Sequence, residues 1–143
     1  MKTNSTQDPW PSIYRQWIWA DQLRNCFHDA LPDQHLDLSK DFTIEPYWMF
    51  MCLWYGLLFS ILEALRESKV KVAEVQDEIA HLYTALRKYR NAVFHVQRGY
   101  WTEKWRKLIL DDESANAIHR IHKQVGRFLL NKVANEDSQA QRH

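Results

Sequence analysis

Arg90, Asn91 and His95 are the residues of this chain whose types and spacing could do chemistry together. An arginine is a permanent cation carrying a planar fork of donors, and histidine is the side chain that titrates near neutral pH. Cleaving a phosphodiester without a metal needs that pair: a proton carrier and a stabiliser of the charge that develops on phosphorus. The three residues close the stretch Arg87-Lys88-Tyr89-Arg90-Asn91-Ala92-Val93-Phe94-His95, near the C-terminal end of a strongly periodic helical segment.

A regular helix advances about 100° per residue, so His95 is turned about 140° away from Arg90 and the two do not aim at one phosphate. Asn91 and His95, four apart, do share a face. Three geometries stay open: Arg90 curls round on its long side chain, the helix distorts near His95, or a second chain supplies the missing partner across a two-fold axis. Glu63, directly after a long apolar run, also stands with two readings. It is either an ordinary helix-end carboxylate in water or a half-buried acid that orients Arg90 or His95 from the neighbouring helix.

The run Arg90 to His95 resembles the R-x4-6-H motif of the HEPN superfamily, small helical proteins many of which are metal-independent RNases. The resemblance rests on those six residues, on their place near a helix end, and on a chain of the size of a lone HEPN domain. It implies an all-α, up-and-down bundle of four main helices and a homodimer whose two motifs meet in one cleft. The implied activity is that of an endoribonuclease: a toxin of a toxin–antitoxin pair or a phage-defence effector. His95 would be the general acid or base in attack by the ribose 2'-hydroxyl, Arg90 would stabilise the phosphorane, and Asn91 would hold or orient either group. RNA is then the substrate, no metal or cofactor is called for, and an antitoxin or regulatory protein is the implied partner. One HEPN subgroup extends the motif to R-x4-H-x-Y; Gln97 stands at that position here, which departs from the subgroup. A non-catalytic helical module that binds RNA, a nucleotide or a protein partner is the alternative.

From Arg87 to Lys107 seven basic residues face the single acid Glu103, with Tyr89, Phe94, Tyr100, Trp101 and Trp105 interleaved. Arg87, Lys88, Arg98 and Lys104 could follow a phosphate backbone while Tyr100 and Trp101 stack on unpaired bases. A solvated basic face beside core aromatics has the same composition, and the motif inside the cluster favours RNA.

The elements that position these residues read as helices. The chain has 143 residues, three of them glycine, with long stretches free of proline, which argues against hairpins and for one all-α domain spanning 1–143. Its ends, about 1–8 and 136–143, are polar and expected to be flexible. Nineteen basic and eighteen acidic residues leave a formal charge of +1, so any basic surface must be local. Cys26 and Cys52 lie in apolar helical patterns without a C-x-x-C spacing, as buried free thiols in a reducing cytoplasm would; the polar opening residues lack a signal peptide's apolar segment.

The first helix is expected over about 11–30, with Ile13, Trp17, Ala20, Leu23 or Arg24, and Phe27 at helical spacing. A polar connector from Leu31 to Glu45 leads to Pro46 and the apolar run Tyr47 to Leu62. Sixteen residues fall short of the roughly 20 of a membrane span, so this run reads as the central helix of a bundle, covered further by a partner chain. The third helix is expected from Val72 or Val75 to Val96, its core stripe formed by Leu82, Ala85, Leu86, Tyr89, Ala92, Val93 and Val96. The last is expected from Asp111-Asp112 to about Val133. His119 and His122, at i and i+3 on it, are too few for a closed metal site.

Overall fold

Four helices carry the chain: α1 (Trp10–Ala30), α2 (Pro46–Glu67), α3 (Gln76–Phe94) and α4 (Asp112–Ala140), with a 3-10 turn at Ala73–Val75 before α3. The computed structural model describes residues 8–31, 45–94, 108 and 111–142. There are no strands among the described residues, in keeping with the all-α expectation.

Local chemistry sets the helix ends. Pro11 sits in the first turn of α1 and Pro46 opens α2, where a missing N–H costs nothing. Leu31 and Glu45 each precede a proline and are each extended, the backbone that proline imposes on its predecessor. Asp111 caps α4, accepting from the Ser114 backbone N–H at 3.1 Å and its hydroxyl at 2.6 Å, and Asp112 and Glu113 follow in the positive first turn.

The end of α2 is less economical. Val70 N–H bonds the Leu65 carbonyl at 2.9 Å and Lys69 N–H bonds that of Arg66 at 3.0 Å, a Schellman closure with Lys69 in the left-handed position at φ 55°. A side chain there costs about 1 kcal/mol that glycine would not. Lys69→Gly is therefore expected to raise stability by roughly that amount, read as a higher denaturant midpoint at unchanged m-value.

The core forms around α2. Ten of its residues are buried, Trp54, Leu58, Phe59 and Ile61 almost completely, because α1 and α3 both pack on it. By length and composition this 22-residue helix could cross a membrane; it is longer than the sixteen-residue run suggests, since Pro46 and the turn Glu63–Glu67 extend it. Met49 is the one large apolar side chain of α2 left exposed among the described residues, so the surplus apolar surface expected to need a partner chain is small.

Helices α2 and α3 run antiparallel, as do α1 and α4, as their contacts show. Arg66 lies over the Tyr83 ring and Arg90 over that of Phe59, each at 4.7 Å, while the Tyr89 hydroxyl donates to Cys52 Sγ at 3.0 Å. Between α1 and α4, Trp10 meets Phe128 at 5.9 Å and His28 meets His119 at 5.1 Å. Gly126 lets these two helices approach, since a Cβ there would run into the Trp17 ring.

The expected stripe of α3 is buried at Leu82, Leu86 and Tyr89 and half-buried at Ala85, Ala92 and Val93; Val96 lies outside the described residues. Two expectations need correction. Helix α4 continues past Val133 to Ala140, because nothing in the polar segment after it breaks a helix. Cys26 is exposed, being off the buried row of Ile13 and Ala20, and Cys52 is half-buried; burial raises the Cys52 thiol pKa and the Tyr89 hydrogen bond lowers it in part.

Candidate functional site

Arg90 projects from the last turn and a half of α3 onto a row of α2 formed by Gly56, Phe59 and Glu63, spaced at i, i+3 and i+7. Its guanidinium lies over the Phe59 ring, and Nη1 reaches Glu63 Oε2 at 3.1 Å. Nε donates to Asn91 Oδ1 at a longer 3.3 Å. One face of the fork is therefore packed and Nε and Nη1 are paired, while the side chain keeps 28% exposure and that of Glu63 39%.

The antiparallel register places Phe94 on the same row of α2. A Cβ at Gly56 would come within 2.6 Å of the Phe94 ring, so the glycine admits the end of α3. Of the two readings of Glu63, the structure shows the carboxylate joined to Arg90. Such a pair at the surface adds little stability, since both groups are partly solvated, but it does hold the arginine in one place.

Arg87 and Lys88 are exposed on α3, and Asn91 is half-buried beside Arg90. The chain thus brings together Glu63, Arg90 and Asn91 at one place. His95, Arg98, Tyr100, Trp101 and Lys104 lie outside the described residues.

A second polar cluster, between α1, α2 and α4, is what sequence reasoning missed. His122 is buried at 3% exposure and both its ring nitrogens are engaged. Trp54 Nε1–H donates to Nδ1 at 3.1 Å, which leaves Nε2 as the protonated nitrogen, donating to Asp21 Oδ1 at 3.0 Å. Asp21 also accepts from Arg24 Nε at 3.0 Å, and the Trp17 indole donates to the His122 carbonyl at 2.9 Å.

The electrostatics follow from that arrangement. Burial drives the His122 pKa down, and the Asp21 hydrogen bond and charge offset this only in part. Burial alone would raise the Asp21 carboxyl, yet the hydrogen bonds from His122 and Arg24 hold it below its ordinary value. His119 is lowered by burial first, then by His28, Arg24 and His122 around it. A neutral imidazole locked by two partners positions helices; it does not carry protons. The one signal for it in the sequence is a histidine on the apolar face of α4.

No group of three metal-ligating side chains that could hold an ion occurs among the described residues. No family model, curated protein or solved structure matches the chain.

Proposed function

We propose that this chain is a metal-independent endoribonuclease of the HEPN type, acting as a homodimer on single-stranded or looped RNA. The observation that carries the reading is the arginine of the motif. Arg90 lies partly exposed over Phe59 and paired with Glu63 from the neighbouring helix, and its Nη2 donors, not engaged by these contacts, would meet a phosphate. A fixed cation that needs no reorganisation is what stabilises charge developing on a phosphorane. Asn91 lies beside it, and the motif's proton carrier is His95, which would act as general base toward the ribose 2'-hydroxyl or as general acid toward the leaving 5'-oxygen.

In this reaction the 2'-oxygen forms a bond to phosphorus as the bond to the 5'-oxygen breaks. The products are a 2',3'-cyclic phosphate and a 5'-hydroxyl. Arg87 and Lys88, exposed on the same helix, would meet neighbouring phosphates, and Arg98, Tyr100, Trp101 and Lys104 would extend the track if they flank it. Partner control by an antitoxin or other regulatory protein, and work in the cytoplasm, belong to the same reading.

The test is an RNA cleavage assay with and without EDTA. Cleavage is expected to persist at the same rate in the chelator, to leave DNA of the same sequence intact, and to yield cyclic-phosphate ends. Activity that vanishes in EDTA and returns with a divalent ion would overturn the mechanism.

A further inference from the structure

Helices α1 and α4 border an open cleft of about 560 Å³ that the nuclease reading does not use; neither Arg90 nor Glu63 lines it. Its α1 wall is Tyr14, Trp17, Asp21 and Arg24, at i, i+3, i+7 and i+10, and its α4 wall includes His119, Lys123 and Arg127. Arg120 also lines it but is drawn away by Glu78, which accepts from Nε at 3.0 and 3.1 Å.

Among the described residues the charge in this cleft does not balance. Asp21 is the one carboxylate among them, and His122 and Arg24 already occupy it. Lys123 and Arg127 have no carboxylate within ion-pair distance among the described residues. Arg24 spends Nε on Asp21 and Nη2 on Asn25 at 2.9 Å, which leaves Nη1 without a protein acceptor among the described residues. His119, half-buried, is fixed with its ring against Trp54 at 5.2 Å and His28 at 5.1 Å, and neither of its nitrogens bonds a described protein group.

We infer that this cleft binds a phosphate monoester carried on an aromatic body, with Arg24, His119, Lys123 and Arg127 around the phosphate and Tyr14 and Trp17 beside the body. Three cations and an imidazole match a dianion better than the single charge of a diester. A bare phosphate would leave the aromatic wall wet, whereas the volume suits a ligand of nucleotide size. Trp17 is a rigid wall, because its indole is pinned to the His122 carbonyl and its ring is stacked on Tyr14 at 6.1 Å and 4°. Two sources carry the same chemistry: a free small monoester, or the 5'-phosphate end of an RNA strand.

Titration calorimetry on the full chain separates them, with uridine 5'-monophosphate, inorganic phosphate, and a short RNA bearing either a 5'-phosphate or a 5'-hydroxyl as probes. Saturable binding of the mononucleotide, tighter than that of phosphate, is expected, with at least a tenfold loss in Lys123→Glu/Arg127→Glu and none in Arg90→Ala. Binding of the 5'-phosphorylated RNA alone, lost in the same double variant, assigns the cleft to RNA ends. The RNA arms are run in the Arg90→Ala chain, so that binding at the proposed nuclease site does not mask the cleft; equal binding of both RNAs there, mononucleotide binding unchanged by the charge reversal, or no saturable binding of any probe would overturn the inference. Lys123→Gln/Arg127→Gln provides the same readout should the reversed pair fail to fold.

Discussion

Arg90→Ala is expected to lower the rate of RNA cleavage by about 10²–10³, the usual loss when one fixed donor to a developing oxyanion is removed. His95→Ala is expected to cost about 10²–10⁴, the range for a positioned proton carrier. Stability should move far less. The Arg90 side chain gives up one solvated ion pair and one contact with an aromatic face, together on the order of 1 kcal/mol. A melting curve run beside the assay therefore separates the chemical effect from unfolding. Glu63→Gln is the informative companion: it keeps the shape and a hydrogen-bond acceptor but removes the charge that fixes the guanidinium. Its rate should fall less than that of Arg90→Ala. Folded Arg90→Ala and His95→Ala chains that cut RNA at the parent rate would sink the nuclease reading and favour a binding module.

The geometry of the motif gives this experiment a second arm. Ideal helical spacing would turn His95 about 140° away from Arg90, and Arg90 is joined to Glu63 on the α2 side. Mixed dimers of an Arg90→Ala chain with a His95→Ala chain recover activity if each site is shared between two chains. Sites complete within one chain leave the mixture inactive. Sedimentation of the parent chain at micromolar concentration checks the dimer itself, which would cover Met49 of α2 and Phe94 of α3, each more than half exposed.

The helices were legible in the sequence because apolar periodicity, prolines and caps agree about them. Pro46 opens α2 and Asp111 caps α4, as those residue types predict. Periodicity says nothing once the apolar residues stop, which is why the polar end of α4 from Asn135 to Ala140 was missed: it buries little, but it has no glycine or proline to end it. The Arg90 site was half legible. Its cation could be read from the motif and its acid partner only as one of two alternatives, since Glu63 and Arg90 meet through the register of two helices.

Of the Asp21–His122–Trp54 cluster only a histidine on the apolar face of α4 was legible, and none of its partners. Asp21 and His122 are 101 positions apart, and nothing local to either residue announces the other. As a pair at i and i+3, His119 and His122 read from the sequence as too few ligands for a closed metal site, and no other role was assigned to them. The fold instead separates their roles: His122 faces inward to two partners, and His119 opens on the cleft.

His122→Leu is expected to cost roughly 2–4 kcal/mol of stability, because it leaves the Trp54 N–H buried without its acceptor and takes a donor from Asp21. His122→Gln, which can still accept and donate, should cost less. The pH dependence identifies the cause. With a folded-state pKa below the ordinary 6.5, His122 binds fewer protons folded than unfolded, so its contribution is intact above 6.5 and is lost as the pH falls below it. His28 and His119 shift in the same direction and add to the slope, while Asp21, lowered from 3.8, acts only in a more acidic window. Chemical denaturation at pH 7.5 and pH 5.0 is thus expected to show a less stable protein in acid, with a shallower loss in His122→Gln than in the parent. An equal loss in both would mean that His122 is charged inside the fold, which the Trp54 N–H aimed at Nδ1 forbids.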